Sequence, residues 1–315
     1  RENRHMTQLN ASRFSKQFSL TTPIALAPMA LASGGALAAA CARAGALGLV
    51  GGGYGDLAWT QREYRLALQA VDSQRIGIGF ITWKLDEDAS ALDWVLDLPL
   101  EERPRAVMLS FGDARRYAAR IAASGAPLIC QIQRLEQAAQ ALEAGAQVLV
   151  AQGAEAGGHG MNGLNGRSTL TLVPELADWL AGHAPETLLL AAGGIADGRG
   201  LAAALTLGAD GALLGTRLWA TQESLAPLGA KQAALAAGGG GTARSAVFDI
   251  LRRKHWPAPY DFRALRNDLH RSWEGRVDAL RAAPEAAQAS YDAGVQAGDY
   301  SRAHATVGEA IGLVH

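Results

Sequence analysis

The 315-residue chain has only two cysteines, Cys41 and Cys130. Each lies in an apolar segment, which predicts two buried free thiols in a reducing compartment and no disulfide frame. Aromatic residues make up 6% of the chain and charged residues 19%, and the charges nearly cancel to a net −1. Such a balance supplies neither the basic surface that nucleic acid needs nor a polybasic face for a membrane. Six histidines, His5, His183, His255, His270, His304 and His315, show no H-x-x-H or H-E-x-x-H spacing, so no metal site is expected. The G-x-S-x-G elbow of a serine nucleophile is also missing.

Long hydrophobic runs are scarce too. Residues 23–42 carry no charge, a length close to the ~20 helical residues that cross a bilayer. The run is mostly Ala, Gly and Ser, holds Pro28, and is broken by Ser33-Gly34-Gly35, so it reads as strand, loop and helix. The opening RENRHM, residues 1–6, reads as an expression scar and is set aside from fold reasoning.

What the chain has in abundance is glycine, 37 residues, together with 49% apolar side chains, enough to bury a large core. Short β-like runs alternate with helical patterns: Ile24–Pro28, Leu47–Gly51, Arg75–Thr82, Ala106–Phe111, Pro127–Ile132, Gln147–Ala151, Thr187–Ala192 and Gly211–Gly215. Helices are expected between them, among them Asp113–Ser124, with Tyr117, Ile121 and Ala122 on one face, and Leu135–Ala144, stopped by Gly145. Eight strands with intervening helices give a (β/α)8 TIM barrel, whose functional loops follow the strands. A doubly wound sheet is the runner-up, but APMALASGG at the first turn lacks G-x-G-x-x-G.

The rhythm changes after Thr216. Residues 217–281 show no clear β alternation and read as an inserted, mainly helical cap domain. The barrel then comprises residues 7–216 and 282–315, with a last helix over Val307–Val314 closing the ring. The run Gly238–Gly241 fits either this insertion or a plain linker.

Three loops at strand ends carry chemical signals. Pro28, Met29 and Ala30 mark a sharp turn after the first strand. Ala192, Gly193 and Gly194, paired with Gly215 and Thr216, follow the seventh and eighth strands, where exposed amides and a hydroxyl can ring a phosphate. The third loop, AQGAEAGGHGMNG after strand six, sets Gly157 and Gly158 beside His159. The glycines let main chain approach a flat or anionic ligand, and the imidazole can take or give a proton near neutral pH. Each loop taken alone also fits an ordinary turn; their coincidence on the expected strands points to a phosphate-bearing cofactor with one candidate base.

The segments PIALAPMA, AGALGLVGGG, QGAEAGGHG, STLTLVPEL, AAGGIADGRGLAAALTLGADGALLGTRLWATQES and AGDYSRAHATVGEAIGLVH resemble the nitronate monooxygenase family, formerly called 2-nitropropane dioxygenases, from about Phe18 onward. The resemblance implies an FMN-dependent (β/α)8 barrel with an inserted helical domain. It implies that Pro28, Met29 and Ala30 face the flavin ring, Gln131 and Gln152 meet its polar edge, Gly157 and Gly158 lie against it, and Ala192, Gly193, Gly194, Gly215 and Thr216 surround the phosphate. His159 takes the catalytic position. Many members carry asparagine after the third strand, where this chain has Gly79 and Phe80, a difference that bears on the subgroup. Tyr54, Trp83 and Tyr300 are candidate pocket walls.

The implied activity is oxidation of alkyl nitronates, and of neutral nitroalkanes if His159 removes their α-proton, with O2 to carbonyl compounds and nitrite, by a cytoplasmic enzyme. Reductases of the quinone or enoyl-ACP type, drawing hydride from NAD(P)H, share the barrel and the EAGGH loop and are the alternative. A non-catalytic binding barrel is a third reading. The sequence leaves oligomeric state open, a homo-oligomer included.

Overall fold

The structure, a computed structural model, describes residues 12–163 and 165–315; the RENRHM segment lies outside the described residues. Eight parallel strands form the barrel: β1 (Ile24–Leu26), β2 (Gly48–Gly53), β3 (Ile76–Ile81), β4 (Val107–Ser110), β5 (Leu128–Ile132), β6 (Val148–Gln152), β8 (Leu188–Ala192) and β9 (Gly211–Leu214). Each lies within two residues of its expected position. They read as continuous apolar runs because both faces are covered, which is the pattern of parallel sheets. β1 pairs with β9, and Ala25 bridges to Leu47 beside β2, so the ring closes on itself.

Alternate side chains along each strand divide between two cores. Leu49, Met108, Ile129, Val148, Val150 and Leu190 fill the barrel interior. Val50, Ile78, Leu109, Leu149 and Ala151 face the helical ring, where Leu172 and Leu176 of the helix Thr169–His183 meet them. Cys41 and Cys130 are buried in this outer core, and burial pushes each thiol up to about 12. A short helix, Arg13–Phe18, lays Phe14 and Phe18 against the interior cluster. In the helix Arg115–Ser124 the buried positions are Ile121 and Ser124, while Tyr117 is half-buried and Ala122 is exposed.

The segment after β9 differs from the expectation of little β structure. It contains the helices Leu228–Ala237, Val247–Leu251, Asp268–Trp273 and Val277–Ala282, and also β10 (Thr242–Ser245) and β11 (Tyr260–Leu265). These two strands form an antiparallel three-stranded sheet with β7 (Gly158–Met161), in the order β10-β11-β7. Phe248, Phe262 and Leu280 form the core of this unit, joined by Ala287 and Tyr291, which lie beyond the expected boundary at 281.

The expected closing helix at Val307–Val314 is instead a 3-10 turn, Glu309–Leu313. Glycines at 308 and 312 disfavour a longer helix, and both pack against other main chain, where a Cβ would lie 2.5 Å from the Glu155 carbonyl oxygen and from Gly239 N respectively; Gly308 N–H also donates to Thr216 Oγ1 at 2.9 Å and Glu309 N–H to the Glu155 carbonyl at 3.0 Å. Among the described residues, no helix is long and apolar enough to cross a membrane.

Phe14 is fully buried at the interior cluster. Phe14→Ala is expected to lower the unfolding free energy by about 3–5 kcal/mol, measured by urea unfolding. A loss below about 1 kcal/mol would mean that the Arg13–Phe18 helix contributes no core.

Candidate active site

A cavity of about 510 Å3 opens at the C-terminal ends of the barrel strands, the face on which TIM-barrel sites are built. Pro28, Met29 and Ala30 line it from the turn after β1; Gly79 lines it from within β3, which also holds Phe80, so the expectation that these two follow the third strand is corrected. Gln131 and Gln152 enter from β5 and β6, joined by a hydrogen bond from Gln131 Nε2 to Gln152 Oε1. Gln152 Nε2 donates in turn to the His159 carbonyl at 2.8 Å, which ties the barrel floor to β7.

Gly157, Gly158, Ala192, Gly193, Gly194, Gly215, Thr216, Tyr54 and Tyr300 also line the cavity. Trp83 does not. Its ring packs edge-on against Trp256, with centroids 5.3 Å apart, and the expectation of a wall contact is corrected: Trp256, not Trp83, is among the residues lining the cavity.

The β8 and β9 ends form a group of donors. Gly193 and Gly194 take φ of +103° and +75°, backbone that glycine adopts without strain. Both lie outside the strands and helices, as does Gly215. Among the described residues, the N–H groups of these three glycines have no hydrogen-bond acceptor. Unpaired amides beside a cavity form a concave site for an anion.

His159 reaches the cavity from β7, whose register sets it opposite Phe262 of β11. His159 is 8% exposed, and its Nε2 lies 3.0 Å from each carboxylate oxygen of Asp249, a residue only 5% exposed. Trp256 stacks on the ring at 3.4 Å between centroids and 12° between planes, and Phe262 packs at 4.8 Å. Arg252 lies with Nη1 3.8 Å from Asp249 Oδ1 and its guanidinium 4.5 Å over the Phe262 ring. Burial pulls the His159 pKa below its ordinary value; Asp249 opposes the shift, and the cations Arg252 and Arg244 add to it.

Asp249, Trp256 and Arg252 are not among the site residues expected from the sequence, although Arg252 and Trp256 lie in its basic and aromatic cluster RRKHWPAPYDF. Asp249 is 90 positions from His159; its one signal is a lone acid inside the apolar run AVFDIL. A second imidazole, His304, also lines the cavity and meets the Tyr291 hydroxyl through Nδ1 at 2.6 Å. Burial, with Arg252 adding to it, pulls the His304 pKa down to about 3.

Comparisons with known proteins bear on the family and the fold. The family model for nitronate monooxygenase matches residues 84–314. A nitronate monooxygenase from Neurospora crassa is 31% identical over 91% of this chain and 83% of its own length. Among solved structures, FabK from Thermotoga maritima superposes with a TM-score of 0.79 at 27% identity, covering 96% of this chain and 90% of that one. Nitroalkane oxidase from Streptomyces ansochromogenes superposes with a TM-score of 0.74 at 26% identity, covering 96% and 93%.

His304 gives a pH prediction. Its folded pKa, about 3, lies below the unfolded value of about 6.5. The unfolded chain therefore binds the extra proton first, and stability is lost as pH falls through this window. The limiting slope from this one group is about 1.4 kcal/mol per pH unit. His304→Asn is expected to flatten the dependence of unfolding free energy on pH between these values by about that amount. A slope unchanged from wild type would show that His304 is freely protonated in the folded protein.

Proposed function

The chain belongs to the nitronate monooxygenase family, and on that premise we propose that it is an FMN-dependent enzyme oxidising alkyl nitronates with O2 to carbonyl compounds and nitrite. The observation that carries the proposal is the meeting of His159 with the unpaired glycine amides around one cavity. Its volume, about 510 Å3, falls within the range of about 300–1,000 Å3 common for cofactor and ligand sites.

The residues present fit the flavin. Gly193, Gly194, Gly215 and Thr216 would hold its phosphate, with Ala192 beside them. Gln131 and Gln152 would meet the polar edge of the ring. Pro28, Met29, Ala30, Gly79, Gly157 and Gly158 would form the surface on which it lies. When bound, the flavin supplies the redox chemistry between an electron-rich nitronate and O2.

The protein supplies position and a proton site. Burial favours the neutral imidazole of His159, the form that accepts the α-proton of a neutral nitroalkane and so widens the substrate range beyond preformed nitronates. Trp256, Phe262 and Phe111 surround the imidazole and limit water around it. Tyr54 and Tyr300 would border the substrate from the cavity wall. Cytoplasmic residence belongs to the same proposal. The likeness to FabK motivates a second reading, an NAD(P)H-dependent reductase on the same barrel.

His159→Asn is expected to keep the flavin bound while nitrite release from nitroethane falls by about 10²–10⁴-fold. Flavin content by absorbance and steady-state nitrite assays check it. Unchanged kinetics with both nitroethane and ethyl nitronate would remove His159 from the chemistry.

A further inference from the structure

We infer that Asp249 is a positioning residue that holds His159 in a single tautomer, with the hydrogen on Nε2, and leaves Nδ1 as the atom that takes the α-proton of a neutral nitroalkane. The inference rests on the nitronate monooxygenase reading and deepens it by naming the working atom and the substrate form that needs it.

The geometry is specific. Both carboxylate oxygens of Asp249 lie 3.0 Å from Nε2. An aspartate carboxylate only accepts, so Nε2 must carry the hydrogen. Neutral imidazole has one N–H, so Nδ1 is then the acceptor. Among the described residues nothing hydrogen-bonds to Nδ1, and His159 is one of the residues that line the cavity. A ring flip would turn carbon, in place of Nε2, toward the carboxylate and forfeit this pairing. The Trp256 stack and the pairing of His159 with Phe262 across β7 and β11 hold the ring where it is.

In the step itself the α-carbon C–H bond breaks and its electron pair spreads onto the nitro oxygens, giving the nitronate. The proton forms Nδ1–H, and the new imidazolium charge lies against Asp249. The proton passes to water after the product leaves, restoring the starting tautomer. A preformed nitronate has no proton to lose and bypasses the step. Asp249 belongs to the helix Val247–Leu251 of the inserted segment, so this segment supplies part of the acid–base unit as well as a cover.

The charged groups near the pair are Arg252 and Lys254, just after that helix, Arg244 on β10 and Asp261 on β11. Asp249→Asn removes the carboxylate and leaves the cations, so protonation of His159 becomes harder. The acid limb of the nitroethane rate profile, where His159 gains its proton, therefore moves to lower pH.

The test compares wild-type holoenzyme with Asp249→Asn on nitroethane and on ethyl nitronate, with nitrite release followed across pH. The expected result is an about 10²-fold fall in kcat with nitroethane, about tenfold or more beyond any fall with ethyl nitronate, together with the displaced acid limb. Equal losses on the two substrates with an unmoved limb would overturn the inference. In parallel, 15N NMR of histidine-labelled wild type reads the tautomer directly and decides the matter if the variant does not fold. Hydrogen on Nε2 supports the assignment, and hydrogen on Nδ1 overturns it. If neither substrate is turned over, the functional reading fails, and the NMR result still judges the tautomer by itself.

Discussion

The site depends on the antiparallel pairing of β7 with β11. The stretch after β6 leaves the barrel rim, crosses to the inserted segment and pairs there over four residues, so that His159 is fixed by two units at once. Arg244 clamps the junction: its guanidinium donates to the carbonyls of Ala156 at 2.7 Å, Gly158 at 3.0 Å and Asp261 at 2.7 Å. The same closeness accounts for glycine at position 160, where a Cβ would lie 2.8 Å from Arg244 Nη1. Burial pulls the Arg244 pKa down to about 10, which still leaves the cation charged at neutral pH.

This arrangement places Asp249, His159, Arg252 and Arg244 within one largely enclosed cluster. Burying charge costs stability unless every group is paired. Arg244 is accounted for by the carbonyls it clamps, whereas the pairing of buried Asp249 with His159 matches the proton-transfer role proposed for His159. The unpaired amides of Gly193, Gly194 and Gly215 follow the same logic, since exposed donors at a cavity wall favour an anionic occupant.

The barrel was legible because its information is local. All eight strands announce themselves as short apolar runs, and glycine at the strand ends marks the loops that meet at the cavity. The inserted sheet was not, because β10 is four half-buried residues and the third strand, β7, lies about a hundred residues before its partner β11. The Val307–Val314 segment shortens to a 3-10 turn because Gly308 and Gly312 weaken a helix and let its backbone pack against Glu155 and Gly239. Trp83 carries the composition of a pocket wall, but Trp256 takes that place. Asp249 illustrates the same limit: no local periodicity links it to His159, and only the folded register brings the two together.

The proposed function requires the bound flavin to exchange electrons with a nitronate. Its most direct test is anaerobic mixing of the purified holoenzyme with ethyl nitronate and, separately, with NADH, while the visible flavin absorbance is followed. A rapid absorbance change is expected with the nitronate and none with NADH. Full bleaching by NADH with no response to the nitronate would contradict it and favour a reductase on this barrel.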